Sequence, residues 1–147
     1  MTRRATRLHA WVYRRSGGRV LGRMGGQPVL LLQTTGRRSG RTRTTPLQYL
    51  ANGDTFVVVA SDAGAARAPA WYLNLRANPH ARVELGARGT DVRAQEVAGQ
   101  EHVALWQRLT AVNRYLEPAA RKAGRDLPVM ALVPSTPTTP GRAADRS

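Results

Sequence analysis

A chain of 147 residues has room for one domain with one sizeable core; at 41% hydrophobic and 5% aromatic residues, that core must rest on Val, Leu and Ala. The absence of cysteine excludes disulfides, thiolate catalysis, iron–sulfur clusters and cysteine zinc sites, and His9, His80 and His102 are scattered without a metal-type spacing to a nearby carboxylate. The formal net charge is +14, Lys122 is the single lysine, and the first 53 residues hold eleven arginines and no acid, which sets up a positive field attractive to nucleic acid, an anionic membrane surface or a phosphorylated, carboxylated cofactor.

Residues 1–26 read as a basic extension. Leu8, Trp11 and Val12 share one helical face among arginines, as in an amphipathic helix that either lies on an anionic membrane or packs on the domain. No apolar stretch follows as a secretory signal would require, and no run approaches the roughly 20 residues of a membrane span, so a cytoplasmic location with peripheral membrane contact is expected. Gly25-Gly26-Gln27-Pro28 breaks the chain, and a single domain over 27–134 follows. Its first strands are 29–33, 44–50 and 56–60, the last two joined by a tight turn at Asn52-Gly53. Pro69 opens a short helix carrying Trp71, Tyr72 and Leu75, which ends before Asn78-Pro79. A hairpin over 81–97 turns through 86–89. Val103, Trp106, Leu109, Val112 and Leu116 form the apolar stripe of a second helix, with Trp106 in the core and His102 facing solvent. A last strand covers 127–133, and 135–147, rich in Pro, Thr, Ser and Arg, is expected to be disordered. About six antiparallel strands with helices between hairpins, and no alternating βαβ units, indicate a mainly β (α+β) small barrel with flanking helices.

The segment Thr34-Thr35-Gly36-Arg37-Arg38-Ser39-Gly40-Arg41-Thr42-Arg43 carries the most chemistry. Two glycines allow a tight turn with exposed N–H groups, and four arginine forks with several hydroxyls surround it, a set suited to phosphate and carboxylate oxygens. It lacks the Gly-Lys-Ser/Thr ending of a Walker loop and is not a dinucleotide GxGxxG. A solvated basic hairpin is the bland alternative.

Three blocks in order, the arginine segment running on to Thr44-Thr45-Pro46-Leu47, then Val57-Val58-Val59-Ala60-Ser61-Asp62, then Trp71-Tyr72-Leu73-Asn74-Leu75-x-x-Asn78-Pro79, resemble the deazaflavin (coenzyme F420)-dependent nitroreductase family over roughly 29–134. The resemblance implies an FMN-binding-like split β-barrel that passes hydride from reduced F420 to a quinone, nitroaromatic or enone-like acceptor. It further implies that Arg37, Arg38, Ser39, Gly40 and Arg43 hold the phosphate and tail carboxylates and that Thr45, Pro46 and Leu47 line the deazaflavin ring. Ala60, Ser61 and Asp62 would sit near the phosphate or ring edge, and Ala70 and Trp71 would close over the ring. Asp62 departs from the family pattern, which often has a basic residue there. Of the several tyrosines that well-studied members carry in the helix after Trp106 only Tyr115 is present, and it is the candidate proton donor. FMN is the alternative cofactor. A non-catalytic deazaflavin-binding protein and a basic nucleic-acid-binding module are the alternative functions, the latter opposed by the lack of helix-turn-helix, RRM or zinc signatures. The chain is expected to act as monomer or homodimer.

Overall fold

The computed structural model of the protein describes residues 23–24, 27–61 and 67–135. The expectations for the amphipathic extension, for Asp62 and for the tail therefore lie outside the described residues, apart from the few at the inner edges of the two terminal segments. The elements in chain order are β1 (Arg23–Met24), β2 (Gln27–Thr35), β3 (Thr42–Gln48), β4 (Leu50–Asn52), β5 (Thr55–Val59), α1 (Ala70–Ala77), β6 (His80–Leu85), β7 (Arg88–Glu96), α2 (Gly99–Val112), α3 (Leu116–Ala123) and β8 (Val129–Pro134).

The described strands number eight rather than about six. Two of them, β1 and β4, have two and three residues, too short for an alternation pattern to register. All pairings are antiparallel, in the order β1-β2-β6-β7-β8-β5-β4, with β3 added to β2. The expected single strand 44–50 is two strands, parted at Tyr49, whose N–H donates to the Pro28 carbonyl at 3.1 Å. On one side of Tyr49 the chain pairs with β2, and on the other with β5. One bent segment thus joins the two ends of the sheet and gives the split-barrel shape.

Side-chain alternation divides the apolar residues into two cores. Leu30, Leu32, Val58, Ala60, Met130 and Leu132 point inward, where Tyr49, Trp71, Tyr72 and Leu75 meet them. Val57, Val129 and Ala131 point outward and are covered by Leu105, Leu109 and Leu116 of the α2–α3 pair. A fully buried Leu or Val contributes about 2 kcal/mol, so these two layers dominate the fold's stability. Helix α2 is also tied to the β4–β5 hairpin by Arg108, which donates to the Asn52 side chain at 2.9 Å and the Ala51 carbonyl at 3.2 Å.

The second helix departs from its expected stripe. Of that stripe, Leu109 and Leu116 are buried as expected, whereas Val103 and Val112 are 51% and 48% exposed and Leu105 completes the buried face. The helix also stops at Asn113 and restarts at Leu116. Pro118 explains the break: inside a continuous helix its ring would strike the carbonyl four residues back, whereas in the first turn of α3 no N–H is needed from it. Trp106 is partly buried against the outer core, and His102 is half-buried rather than solvent-facing, stacked on Trp106 at 6.1 Å with a ring nitrogen 3.4 Å from the Leu127 carbonyl.

Buried Tyr72 donates its hydroxyl to Glu96 at 2.8 Å. Burial first, and then the Glu96 hydrogen bond and charge, push its phenol above the ordinary tyrosine range. The protonated form is therefore favoured in the folded state, and its stabilisation is complete below the unfolded pKa and lost as pH rises through the folded one. Tyr72→Phe is expected to cost about 1 kcal/mol at neutral pH. In denaturant melts repeated above about pH 10, the wild type should lose part of that advantage while the variant lacks the corresponding drop.

Candidate functional site

The arginine loop is held from below by one buried amide. Asn74, on the face of α1 that also carries Trp71, Tyr72 and Leu75, accepts from the Arg37 backbone N–H at 3.1 Å and from the Arg37 guanidinium at 3.2 Å. Its own NH2 donates to the Thr34 hydroxyl at 3.2 Å, and both Asn74 and Thr34 are buried. The turn itself closes through Gly36 N–H to the Arg41 carbonyl and Gly40 N–H to the Gly36 carbonyl, each 2.8 Å. Gly36 sits in a tight space: a Cβ there would lie 2.8 Å from the Ser39 Oγ and 3.2 Å from the Arg41 carbonyl, so a larger residue would displace the Ser39 side chain and press on the turn. Gly40 has a φ of 72°, in the left-handed region.

Ser39 Oγ accepts from Arg41 N–H at 3.1 Å and from the Arg43 guanidinium at 3.4 Å, so this hydroxyl braces the turn while its hydrogen stays available to a ligand. Arg37, Arg38, Ser39, Gly40 and Arg41 are exposed and Arg43 is half-buried. Among the described residues no carboxylate pairs with any of the four arginines. The loop therefore presents guanidinium charge to solvent with no described carboxylate paired to it.

β3 leads from this loop to an apolar cleft. Thr45, Pro46 and Leu47 are half-buried along the strand, in register with Leu32, Leu31 and Leu30 of β2. Leu47 then lines a cleft of about 430 Å³ between the outer face of β5 and the α2–α3 pair, together with Val57, Val59, Ser61, Leu109 and Tyr115. From Arg43 to Leu47 an extended chain covers about 13 Å. β3 thus has a cationic loop at one end and an apolar cleft at the other.

A second buried amide organises the cleft. Asn113, at the break between α2 and α3, donates to Gln27 Oε1 at 2.9 Å and Gln48 Oε1 at 3.4 Å, and accepts from the Tyr115 N–H at 3.0 Å. Gln27 in turn donates to the Tyr49 carbonyl at 3.1 Å. This chain of amides ties the helix break to β2, β3 and the bend at Tyr49, and it sets where Tyr115 leaves the chain. Tyr115 is 62% exposed, with the Arg114 guanidinium 5.3 Å from its ring centre.

The expected residues thus fall into groups. The arginine loop and Leu47, Ser61 and Tyr115 stand on surfaces a ligand can reach. Ala60 and Trp71 are buried in the inner core, which leaves Ala60 only its backbone for contact, and Ala70 is exposed at the start of α1. Asn74, Asn113, Gln27 and Gln48 were not singled out from the sequence. Asn74 had a readable signal, a polar residue on the apolar face that Trp71 and Leu75 define; the amides at 27, 48 and 113 meet only in three dimensions.

A sequence profile described as F420H(2)-dependent quinone reductase matches residues 5–134. An F420H(2)-dependent quinone reductase of Mycobacterium tuberculosis (strain ATCC 25618 / H37Rv) is 39% identical over 131 residues, 86% of this chain and 87% of that protein. A solved F420-H2 dependent reductase superposes with a TM-score of 0.66 at 31% identity, covering 71% of this chain and 93% of that one. A structure described as a domain-swapped dimer superposes with a TM-score of 0.67 at 26% identity, covering 85% and 98%. With its split barrel, this chain belongs to the F420H(2)-dependent quinone reductase family.

Proposed function

We propose that the protein binds reduced F420 along β3 and uses it to reduce a quinone in the apolar cleft. The observation that carries this reading is the convergence of Leu47, Ser61 and Tyr115, residues from three distant parts of the sequence, on one cleft that β3 connects to the arginine loop. A deazaflavin with a phosphate and glutamate tail needs cations about one strand-length from an apolar slot, and the donor set fits. Arg38 and Arg43, with the N–H groups and hydroxyl of the turn, hold the anionic tail. Arg37 is committed partly to Asn74 and contributes charge more than a free fork. Thr45, Pro46, Leu47 and Ser61 border the ring, and buried Trp71 and Ala60 support that border from beneath.

Once bound, the reduced cofactor supplies a hydride, the chemistry that is its own rather than the protein's. The protein orients the two partners, and the apolar walls of Leu47, Val57, Val59 and Leu109 exclude water between them. A quinone that takes up a hydride needs one further proton to become the hydroquinone, and Tyr115, at the mouth of the cleft, donates it and is refilled from solvent. The domain-swapped relative supports a two-chain assembly here as well. No helix among the described residues is long and apolar enough to cross a membrane, and the membrane contact expected of the N-terminal extension has no further support.

Tyr115→Phe is expected to lower kcat for a quinone about tenfold, less than a buried general acid because water also reaches the site, while the F420H2 dissociation constant is unchanged. An unaltered kcat would remove Tyr115 from the mechanism. Asn74→Leu should cost about 2–3 kcal/mol in denaturant melts, since it leaves the Thr34 hydroxyl and Arg37 N–H without their partner. The same variant should also weaken F420H2 binding while leaving quinone binding in place; unaltered F420H2 binding would show that the loop holds its shape without the amide.

A further inference from the structure

Among the described residues, the cleft is lined by apolar, hydroxyl and neutral amide groups apart from one side chain, Lys122. It is also the chain's only lysine, every other cation being arginine. The two cation types suit different targets. A guanidinium fork matches the paired oxygens of phosphate or carboxylate, whereas a compact ammonium on a flexible stem serves a single oxygen. The arginines stand on the loop proposed for a multiply charged tail, and the lysine stands in the cleft proposed for the acceptor.

Its position on α3 adds a second constraint. Tyr115 is the N-cap of α3, and Pro118, Ala119 and Lys122 follow at steps of three or four residues, so all four face the cleft. Tyr115 and Lys122 therefore mark the two ends of one helical face, about 10 Å apart along the axis. An acceptor lying along α3 meets a hydroxyl at one end and an ammonium at the other.

Resting on the reading of the cleft as the acceptor site, we propose that Lys122 is an acceptor-recognition residue, which holds one carbonyl oxygen of a para-quinone whose opposite oxygen meets Tyr115. Hydride addition brings two electrons and one proton to the quinone and leaves one negative charge, shared with the carbonyl oxygens. The Tyr115 phenol gives a proton to one oxygen and regains it from water. Lys122 stabilises, through its ammonium, the charge that builds on the other oxygen during hydride addition; that oxygen ends as hydroxyl with the hydrogen delivered as hydride, after tautomerisation where it arrives on ring carbon, so that quinone, hydride and one proton yield the neutral hydroquinone. The arrangement favours acceptors with two opposed carbonyls over those with one.

The test compares wild type, Lys122→Met and Lys122→Arg. Binding of a water-soluble 1,4-naphthoquinone is measured by tryptophan fluorescence with and without oxidised F420, conditions that allow no turnover. Steady-state kcat/KM with F420H2 is then measured for the same naphthoquinone and for a one-carbonyl cyclic enone. Lys122→Met is expected to weaken quinone binding and to lower kcat/KM for the quinone about tenfold. The enone should lose about threefold or less, Lys122→Arg should recover much of the loss, and F420H2 affinity should hold. Equal behaviour of Lys122→Met and wild type toward the quinone, or an equal loss on the enone, would overturn the assignment. A wild type that binds quinone but neither binds F420H2 nor turns over would instead remove the catalytic reading of the cleft, and the binding comparison would still decide the role of Lys122. A wild type that takes up no quinone in either arm removes both.

Discussion

Most of the site depends on the antiparallel pairing of β3 with β2, which runs unbroken from Thr42↔Thr35 to Gln48↔Val29. A one-residue slip would exchange the faces of β3, turning Arg43 and Leu47 together to the other side of the sheet. In the observed register Leu30, Leu31 and Leu32 are fully buried, and burial on both faces of β2 specifies strand register strongly. Stability and function therefore meet in the same strand pair: the apolar residues that hold β2 in place also set the spacing between the arginine loop and the cleft.

Two carboxamides extend this control to the ends of β3. Asn74 fixes the loop to α1, and Asn113 fixes the α2–α3 break to β2 and β3. Both sit where apolar packing would leave backbone groups unpaired, and each satisfies several partners at once. A buried neutral amide suits this task better than a charged group, since it needs no counter-ion and adds no field of its own. The electrostatics of the site are thus left to the exposed arginines at one end and, in our proposal, to Lys122 at the other.

The strand–loop–strand unit was legible from the sequence because its parts obey strong local rules. The apolar run at 29–32, the paired glycines and the arginine cluster each have a direct structural cause. The Pro69 start and Asn78-Pro79 end of α1 were equally readable. The bend at Tyr49 was not, since residues 44–50 are uniformly extended in pattern and only the two competing sheet edges part them. The α2–α3 region misled for a related reason. Val103 and Val112 extend a plausible stripe, but the sheet accepts the face of Leu105 and Leu109, and Pro118 forces a restart. The candidate site divides along the same line: its cationic end is written in one continuous segment, whereas the cleft is assembled from residues as distant as Gln27 and Lys122.

The arginine loop and β3 are proposed to form one deazaflavin site. The most direct measurement is titration of F420H2 into the purified protein by calorimetry, with Arg38→Ala and Arg43→Ala in parallel. Saturable binding, micromolar or tighter, is expected, weakening roughly tenfold in each variant as a charge-assisted contact to the tail is lost. Absence of binding by the wild type, or affinity indifferent to both substitutions, would contradict that assignment.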